Sequence, residues 1–298
     1  FREELASYKE KVGKEKAAST YRGLVADYNN LLLFLKEKRR IEDIAIADLD
    51  KKFIEDYYNW MLGTCALASS TAFCRVNTLK WLMYTAQERG WIKLHPFIGF
   101  DCLPEYKRRS FLTEEDLQRV IHVKLNYKRQ RAIRDMFLFM CFTGLAYADL
   151  KEITYKNIHT DSEGGTWLMG NRIKTGVSYV VKLLPIAIEL VERYKGENKK
   201  KSSPDKVFPV GEYQTMVSSL RVLTQKCGCS TEITPHIGRH TFAVLAILKG
   251  MPLETLQKVL GHKSILSTQI YAELINPKVG EDTDKLCMKI GDVYRLTN

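Results

Sequence analysis

The stretch Thr234-Pro235-His236-Ile237-Gly238-Arg239-His240 carries the most informative pattern in this 298-residue chain. A threonine followed by a proline is typical of a helix start, because the hydroxyl accepts a backbone N–H and the proline ring already has the helical φ angle. His236 and Arg239 then share one face of the first turn. Free N–H groups at a helix N-terminus favour an anion, and an arginine fork can bind two phosphate oxygens. Taken alone, the stretch is also compatible with a capped structural helix.

A second motif follows the first in the chain. Leu260-Gly261-His262-Lys263-Ser264 places an imidazole near a predicted helix start, and Tyr271 stands nine residues after His262. A phenol with a pKa of about 10 is protonated near neutral pH, so a nucleophilic tyrosine needs both a base and a cationic site. The alternative for Tyr271 is an ordinary half-buried tyrosine on an amphipathic helix.

A basic segment precedes a β-branched run in the middle of the chain. In Asn171-Arg172-Ile173-Lys174-Thr175-Gly176, residues two apart in an extended strand point to the same side, so we expect Arg172 and Lys174 to share a face. A lysine at a hairpin tip could reach a phosphate as a mobile acid. A solvated turn is the competing interpretation.

Composition points to a polyanionic partner. The net charge of +11 and the pI near 9.2 favour binding to a phosphate backbone, with an acidic membrane surface as the competing partner. No apolar run approaches the ~18 residues that span a bilayer.

The seven cysteines are odd in number and predict reduced thiols in a cytoplasmic protein. The spacing of Cys227 and Cys229 argues against a zinc site, so we expect no metal.

Apolar periodicity predicts two domains, divided at a short basic stretch at residues 103–109. Residues 1–107 read as helices: one from Ser19-Thr20 to the basic cluster at 36–40, one after residues 48–50, and one after residues 69–71. Residues 108–298 begin with a helix capped by Thr113. They continue with strands near 167–169 and 177–184 and end in helices at 186–194, 213–227, 235–249, 253–260 and 264–274.

In this order and spacing, the motifs resemble the catalytic domain of the tyrosine recombinase (phage integrase) family. The family's strand lysine, His-x-x-Arg box, Leu-Gly-His box and tyrosine correspond to Lys174, His236 with Arg239, His262 and Tyr271. The resemblance covers residues 111–274. It implies a mainly α fold with a small antiparallel β-sheet in the C-terminal catalytic domain, preceded by a helical SAM-like core-binding domain.

One position departs from the family pattern. The family usually has Thr-Gly-Leu-Arg-x-x-Glu-Leu, whereas residues 143–150 read Thr-Gly-Leu-Ala-Tyr-Ala-Asp-Leu, so Ala146 replaces the first phosphate-binding arginine. Integrases of mobile and conjugative elements resemble this chain at that box and still recombine DNA. We therefore expect another cation to substitute, Arg172 first and Arg134 second. The resemblance gives Asp149 a supporting role.

The resemblance also implies a mechanism that needs no cofactor. Tyr271 attacks a phosphodiester and forms a 3′-phosphotyrosine, and the freed 5′-hydroxyl attacks the partner duplex. Arg239 and Arg172 hold the phosphate oxygens, and His262 bonds the phosphate. His236 helps to accept the tyrosine proton, and Lys174 protonates the leaving oxygen.

The expected partner is double-stranded DNA with specific recombination sites. The resemblance implies a homotetramer on DNA, with the segment after Leu274 packing onto a neighbour, while the isolated chain is compatible with a monomer. It also implies integration or excision of a mobile element, and an arm-binding segment upstream of residue 1. The residues expected to contact phosphates in the core-binding half and linker are Arg22, Arg75, Lys80, Lys107, Arg108 and Arg109.

Three other functions remain open at this point. Ala146 is compatible with a catalytically decayed recombinase or an accessory DNA-binding protein that keeps the fold. A type IB topoisomerase uses similar residues to relax supercoils. A helical protein–protein adaptor would explain the helices but not the basic residues that accompany Tyr271.

Overall fold

The computed structural model describes residues 1–104, 109–195 and 205–274. The chain divides into two compact units, Phe1–Lys107 and Arg108–Asn298. Lys107 and Arg108, which the sequence places among the phosphate contacts, lie outside the described residues. No helix in the described ranges is long and apolar enough to cross a membrane.

The first unit is helical. It contains α1 (Arg2–Glu10), α2 (Ala18–Phe34), α3 (Lys51–Gly63) and α4 (Ser69–Glu88). The Asp50 carboxylate caps α3 by accepting the Phe53 N–H at 2.7 Å. The core forms where these helices meet: Phe34 packs edge-on against Phe53, with ring centroids 5.3 Å apart. The predicted helices of this half are therefore confirmed.

The start of α2 differs from the prediction. The helix begins at Ala18 and has no side-chain cap, because Ser19 and Thr20 already lie inside its first turn. The helical run ends in the basic cluster, as predicted, but its last turn, Leu35–Arg39, is π-helical. Leu35 is buried in the core, while residues 36–39 are exposed. The extra turn therefore buries an apolar side chain and leaves the charged side chains in water.

The second unit combines eight helices and three strands among its described residues. In chain order these are α5 (Glu114–His122), α6 (Lys128–Thr143), α7 (Tyr147–Glu152), β1 (Ile158–Thr160), β2 (Thr166–Asn171), β3 (Ser178–Lys182), α8 (Pro185–Tyr194), α9 (Tyr213–Cys227), α10 (Pro235–Leu248), α11 (Leu253–Leu260) and α12 (Leu266–Ala272). Thr113 caps α5 and Thr234 caps α10, as the sequence predicts.

The sheet is antiparallel, in the order β1-β2-β3. Leu168 lies opposite both Ile158 and Val181, and its side chain is fully buried. The sequence identified β2 and β3 but missed β1. A strand of three residues is too short to show the period-two alternation on which a strand prediction depends.

Helix α6 forms the centre of this unit and packs along α10. Phe137, Phe139 and Met140 are fully buried although they point in different directions around the helix. A helix buried on nearly all sides places its two ends firmly, and the C-terminal end of α6 leads directly into the Thr-Gly-Leu-Ala segment.

Candidate active site

Two buried arginines converge on the same backbone oxygens. Arg239, from the first turn of α10, donates from Nη1 to the Gly144 carbonyl at 2.6 Å and from Nη2 to the Leu260 carbonyl at 2.8 Å. Arg172, from the end of β2, donates from Nε to that Leu260 carbonyl at 2.6 Å. Burial and the neighbouring Arg172 charge lower the pKa of Arg239 to about 10, still far above neutral. The Arg239 guanidinium therefore stays charged beside that of Arg172.

Arg172 is the more tightly held of the two. Its Nη1 donates to the Asp149 carboxylate at 2.5 Å, and the other oxygen of Asp149 accepts the Ile173 N–H at 2.9 Å. The guanidinium also lies 5.0 Å from the centre of the Tyr179 ring. Arg172 and Asp149 are both buried, so this ion pair fixes the guanidinium away from competing water.

The expectation that Arg172 and Lys174 share a strand face is wrong. Strand β2 ends at Asn171, and residues 173–175 form a turn in which the Arg172 carbonyl accepts the Gly176 N–H at 2.8 Å. The turn reverses the chain, so Arg172 is buried while Lys174 is exposed. Lys174 still lies near the site. After burial and Arg239, its charge is the next cause that lowers the pKa of His236.

Two glycines place the carbonyls that the arginines bind. Gly144 ends α6 with φ of +69°, and a Cβ there would lie 2.6 Å from Phe242 Cδ1. Gly261 ends α11 with φ of +61°, and a Cβ there would lie 3.0 Å from the Arg172 side chain. Only glycine meets both demands, a left-handed backbone and no side-chain volume.

Tyr271 lies in α12, and its side chain is only 1% exposed. Its hydroxyl lies 3.0 Å from His240 Nδ1, within hydrogen-bonding distance. The His262 ring is parallel to the tyrosine ring, with centroids 6.5 Å apart and an interplanar angle of 7°. The Arg109 guanidinium lies over the tyrosine ring, 5.6 Å from its centre. The phenol is thus surrounded by imidazoles and by cationic groups.

The three histidines around Tyr271 have different environments. His236 is exposed, and its ring lies nearly parallel to that of His240, 6.1 Å away. His262 Nδ1 lies 2.9 Å from the Thr268 hydroxyl. Burial, followed by the charges of the surrounding arginines, lowers the pKa of His240 and of His262 to about 4 in each case. Both imidazoles are therefore neutral near pH 7.

The sequence missed the partner of the tyrosine hydroxyl. His240 is visible in the Thr234–His240 stretch, one helical turn after His236, but we assigned it no role. The available signal was this spacing of four residues, which puts both rings on one side of α10. What the sequence could not show is that α12 brings Tyr271 against the second of these rings.

Other predicted site residues fall in varied places. Ala146 precedes α7 as its N-cap residue. Arg134 is committed elsewhere, since its Nε and Nη2 donate to Asp135 at 3.0 and 2.9 Å. In the first unit Arg22 is exposed, Arg75 lies 3.7 Å from the Asp27 carboxylate, and Lys80 lies over the Phe97 ring. Within residues 1–104, 109–195 and 205–274, no cluster of histidine, cysteine and acidic side chains has the arrangement of a metal site.

Apart from Arg109, the residues of this site lie within a match to a known protein family. The model of the phage integrase family matches residues 110–276, more than half of the chain. The chain belongs to the phage integrase family. Residues 1–103 match the phage integrase SAM-like domain, in agreement with the helical first unit.

Curated relatives of this chain are tyrosine recombinases. Tyrosine recombinase XerA of Saccharolobus solfataricus is 32% identical over 176 residues, which cover 58% of this chain and 56% of that protein. A tyrosine recombinase of Pseudothermotoga lettingae is 23% identical over 274 residues, 88% of this chain and 90% of the relative. The chain thus spans little more than half the length of the first relative and nearly all of the second.

Solved structures share its fold. A lambda integrase dimer bound to a COC′ core site superposes with a TM-score of 0.69 at 18% identity, covering 90% of this chain and 94% of that one. The Tn1549 transposon integrase in complex with circular intermediate DNA gives a TM-score of 0.66, also at 18% identity, and covers 90% and 94%. At this identity the likeness concerns the fold, mainly helical with a small antiparallel sheet.

Proposed function

We propose that this integrase is a site-specific DNA recombinase that cleaves and rejoins DNA through a 3′-phosphotyrosine at Tyr271. The observation that carries the proposal is that the buried Tyr271 lies against His240, His262 and Arg239. Arg172 binds the same Leu260 carbonyl as Arg239. An adaptor protein would not need such a cluster. Burying two like charges together costs free energy, and a bound phosphodiester would offset that cost by neutralising them.

Each side chain has a defined task in this mechanism. Arg239 and Arg172 hold the non-bridging oxygens of the scissile phosphate as negative charge grows during attack. His262 donates a hydrogen bond to the phosphate. Lys174, exposed at the hairpin turn, reaches the leaving 5′ oxygen and gives it a proton. His236 is exposed one helical turn before His240. The energy of the broken bond is kept in the protein–DNA ester, so the proposal needs no cofactor.

Arg172 is the proposed substitute for the arginine that Ala146 replaces. Arg172 and Arg239 bind the same Leu260 carbonyl, so their guanidinium groups lie side by side as a phosphate clamp requires. Asp149, three residues after Ala146, positions Arg172 through a buried ion pair. Arg134, the second candidate, is occupied by Asp135 and by the Val123 carbonyl. Arg109, over the Tyr271 ring, is the proposed third cation at the site.

The proposed partner is double-stranded DNA with specific sites, bound by a homotetramer. The net charge of +11 supports a phosphate-rich partner, and the similar lambda and Tn1549 integrases are described in complexes with DNA. In the first unit, Arg22 and Lys80 are the proposed phosphate contacts, with Arg75 shared between Asp27 and DNA. We extend the proposal to the integration or excision of a mobile element.

A groove on the second unit supports the proposed assembly. It has a volume of about 1220 Å³, and its apolar lining comes from α5, β3, α10 and α11. Lys182 and Lys258 lie among its lining residues. The segment after Leu274 has apolar residues at 286, 290 and 293, and an acidic Glu-Asp-Thr-Asp run at 281–284. We propose that this segment of one protomer occupies the groove of the next.

Recombination of paired sites tests the function. Duplexes bound by the protein are first enriched from a random-sequence pool, and two copies of the enriched site are placed on one supercoiled plasmid. A recombinase yields recombinant circles that a Tyr271→Phe variant does not produce. Relaxed circles alone would indicate a topoisomerase, and binding without any change in the DNA would indicate a decayed recombinase.

A further inference from the structure

His240 lies next to the Tyr271 hydroxyl, and the proposed mechanism gives it no role so far. His240 Nδ1 lies 3.0 Å from the tyrosine oxygen, and the centroids of the two rings are 5.5 Å apart. His240 directly follows Arg239 in α10, so one turn of a single helix presents both a phosphate-binding guanidinium and an imidazole that contacts the nucleophile. The spacing between the two side chains is therefore fixed by the helix backbone.

His236 does not occupy this position. It lies one turn earlier, is exposed, and has no hydrogen bond to Tyr271 among the described residues. His262 is also unavailable through Nδ1, because that atom lies 2.9 Å from the Thr268 hydroxyl. Of the three imidazoles, that of His240 is the one within hydrogen-bonding distance of the tyrosine hydroxyl.

We propose that His240 is a catalytic residue, which accepts a hydrogen bond from the Tyr271 hydroxyl and takes its proton as the tyrosine attacks. The inference rests on the proposed function, since it concerns the same reaction. In the step, the tyrosine O–H bond breaks as the O–P bond forms, and His240 Nδ1 gains the proton. The bond from phosphorus to the 5′ oxygen breaks, and that oxygen takes its proton from Lys174.

The charges around His240 suit this role. Arg239 and His236 on its own helix, Arg109 from the segment before α5, and Tyr271 from α12 all face it. Burial and these cations lower the pKa of His240 to about 4, so Nδ1 keeps its lone pair near neutral pH. A phenol is not acidic enough to protonate such a base in the resting state. The phenol becomes acidic enough as its oxygen bonds to phosphorus, so the proton moves to His240 during the attack and not before it.

The resting hydrogen bond can be tested without DNA. In the full chain labelled with ¹⁵N-histidine, the His240 resonances are assigned from their loss in His240→Asn. We expect the tautomer with hydrogen on Nε2, and a shifted Nδ1 resonance when Tyr271 is replaced by Phe. A tautomer with hydrogen on Nδ1, or an Nδ1 resonance unaffected by Tyr271→Phe, would overturn the proposal.

Cleavage of a nicked duplex carrying the enriched site tests the proton transfer. His240→Asn keeps an acceptor near Nδ1 but cannot take a proton, so we expect single-turnover cleavage to fall about 100-fold. His159→Asn, which alters an exposed imidazole on β1, should cleave at the wild-type rate.

A sulfur atom at the bridging 5′ position then separates the two proton transfers, because a thiolate leaves without being protonated. The duplex with the bridging sulfur should restore cleavage by Lys174→Ala but not cleavage by His240→Asn. Wild-type-rate cleavage by His240→Asn, or its rescue by sulfur, would contradict the proposal. If the wild-type chain cleaves no enriched site, the recombinase function fails instead, while the tautomer measurement still decides whether His240 accepts from Tyr271.

Discussion

At the residue scale, the proposed site takes its second cation from Arg172 rather than from position 146, where the family usually has arginine. Arg172 contacts the Leu260 carbonyl beside Arg239 and is held by Asp149. The sequence indicated Arg172 as the substitute, but its reason, a strand face shared with Lys174, was wrong. Extended geometry was assumed through residue 174, whereas the backbone turns after Asn171.

Replacing Arg172 tests the proposed substitution. Arg172→Ala should lower single-turnover cleavage of the enriched site by about 100- to 1000-fold, because one of two phosphate-holding guanidiniums is lost. The cleavage rate of Arg172→Lys should lie between those of the wild type and Arg172→Ala, since one ammonium group cannot bind Asp149 and the phosphate in the same fork geometry. Arg221→Ala, which removes an exposed ion pair with Glu232, is the control and should cleave normally. Wild-type cleavage by Arg172→Ala would refute the assignment.

At the element scale, the helices with strong caps and regular apolar patterns were predictable. Asp50, Thr113 and Thr234 each start a helix as their sequence context indicates. The sequence did not reveal the π-helical turn after α2 or strand β1, because the first depends on burial of Leu35 and the second on pairing with β2. The meeting of His240 with Tyr271 was also hidden, since it depends on how α12 packs against α10.

The C-terminal end of α6 gives a prediction at this scale. Gly144→Ala should lower the free energy of unfolding by about 1–3 kcal/mol, since alanine is strained at φ of +69° and its Cβ would overlap Phe242 and Leu260. Because the Gly144 carbonyl binds Arg239, cleavage should also fall.

Urea unfolding of the same variant, followed by circular dichroism, measures the stability change. Gly164→Ala is the matched control, because Gly164 also has a positive φ, of +82°, but its Cβ would meet no atom within 4 Å. The control should lose stability while keeping full cleavage. Equal cleavage by both variants would mean that the Gly144 carbonyl does not position Arg239.

At the scale of the whole molecule, the two units match two parts of one family, and the resemblance anticipated both from the sequence. The proposed assembly depends on the groove of the second unit and on the segment after Leu274. Deleting residues 275–298 should leave binding to a single enriched site intact but abolish recombination of paired sites, because neighbouring protomers lose their contact.

A substitution in the groove provides an independent comparison for this deletion. Leu245 lines the groove, and Leu245→Glu should reproduce the loss of recombination by placing a charge on an apolar docking surface. Gel-shift titration reports binding, and sizing of protein–DNA complexes by light scattering reports assembly. Normal recombination by the deletion variant would contradict the proposed contact.

The most direct test of the central claim is detection of the covalent intermediate. Wild-type protein incubated with a nicked duplex carrying the enriched site should give an SDS-stable protein–DNA adduct. Mass spectrometry of the digested adduct should place a 3′-phosphonucleotide on Tyr271, and Tyr271→Phe should form none. Tyr213→Phe, which alters a more exposed tyrosine on α9, should form the adduct normally. Absence of an adduct from the wild-type protein, or an adduct that persists in Tyr271→Phe, would contradict the account.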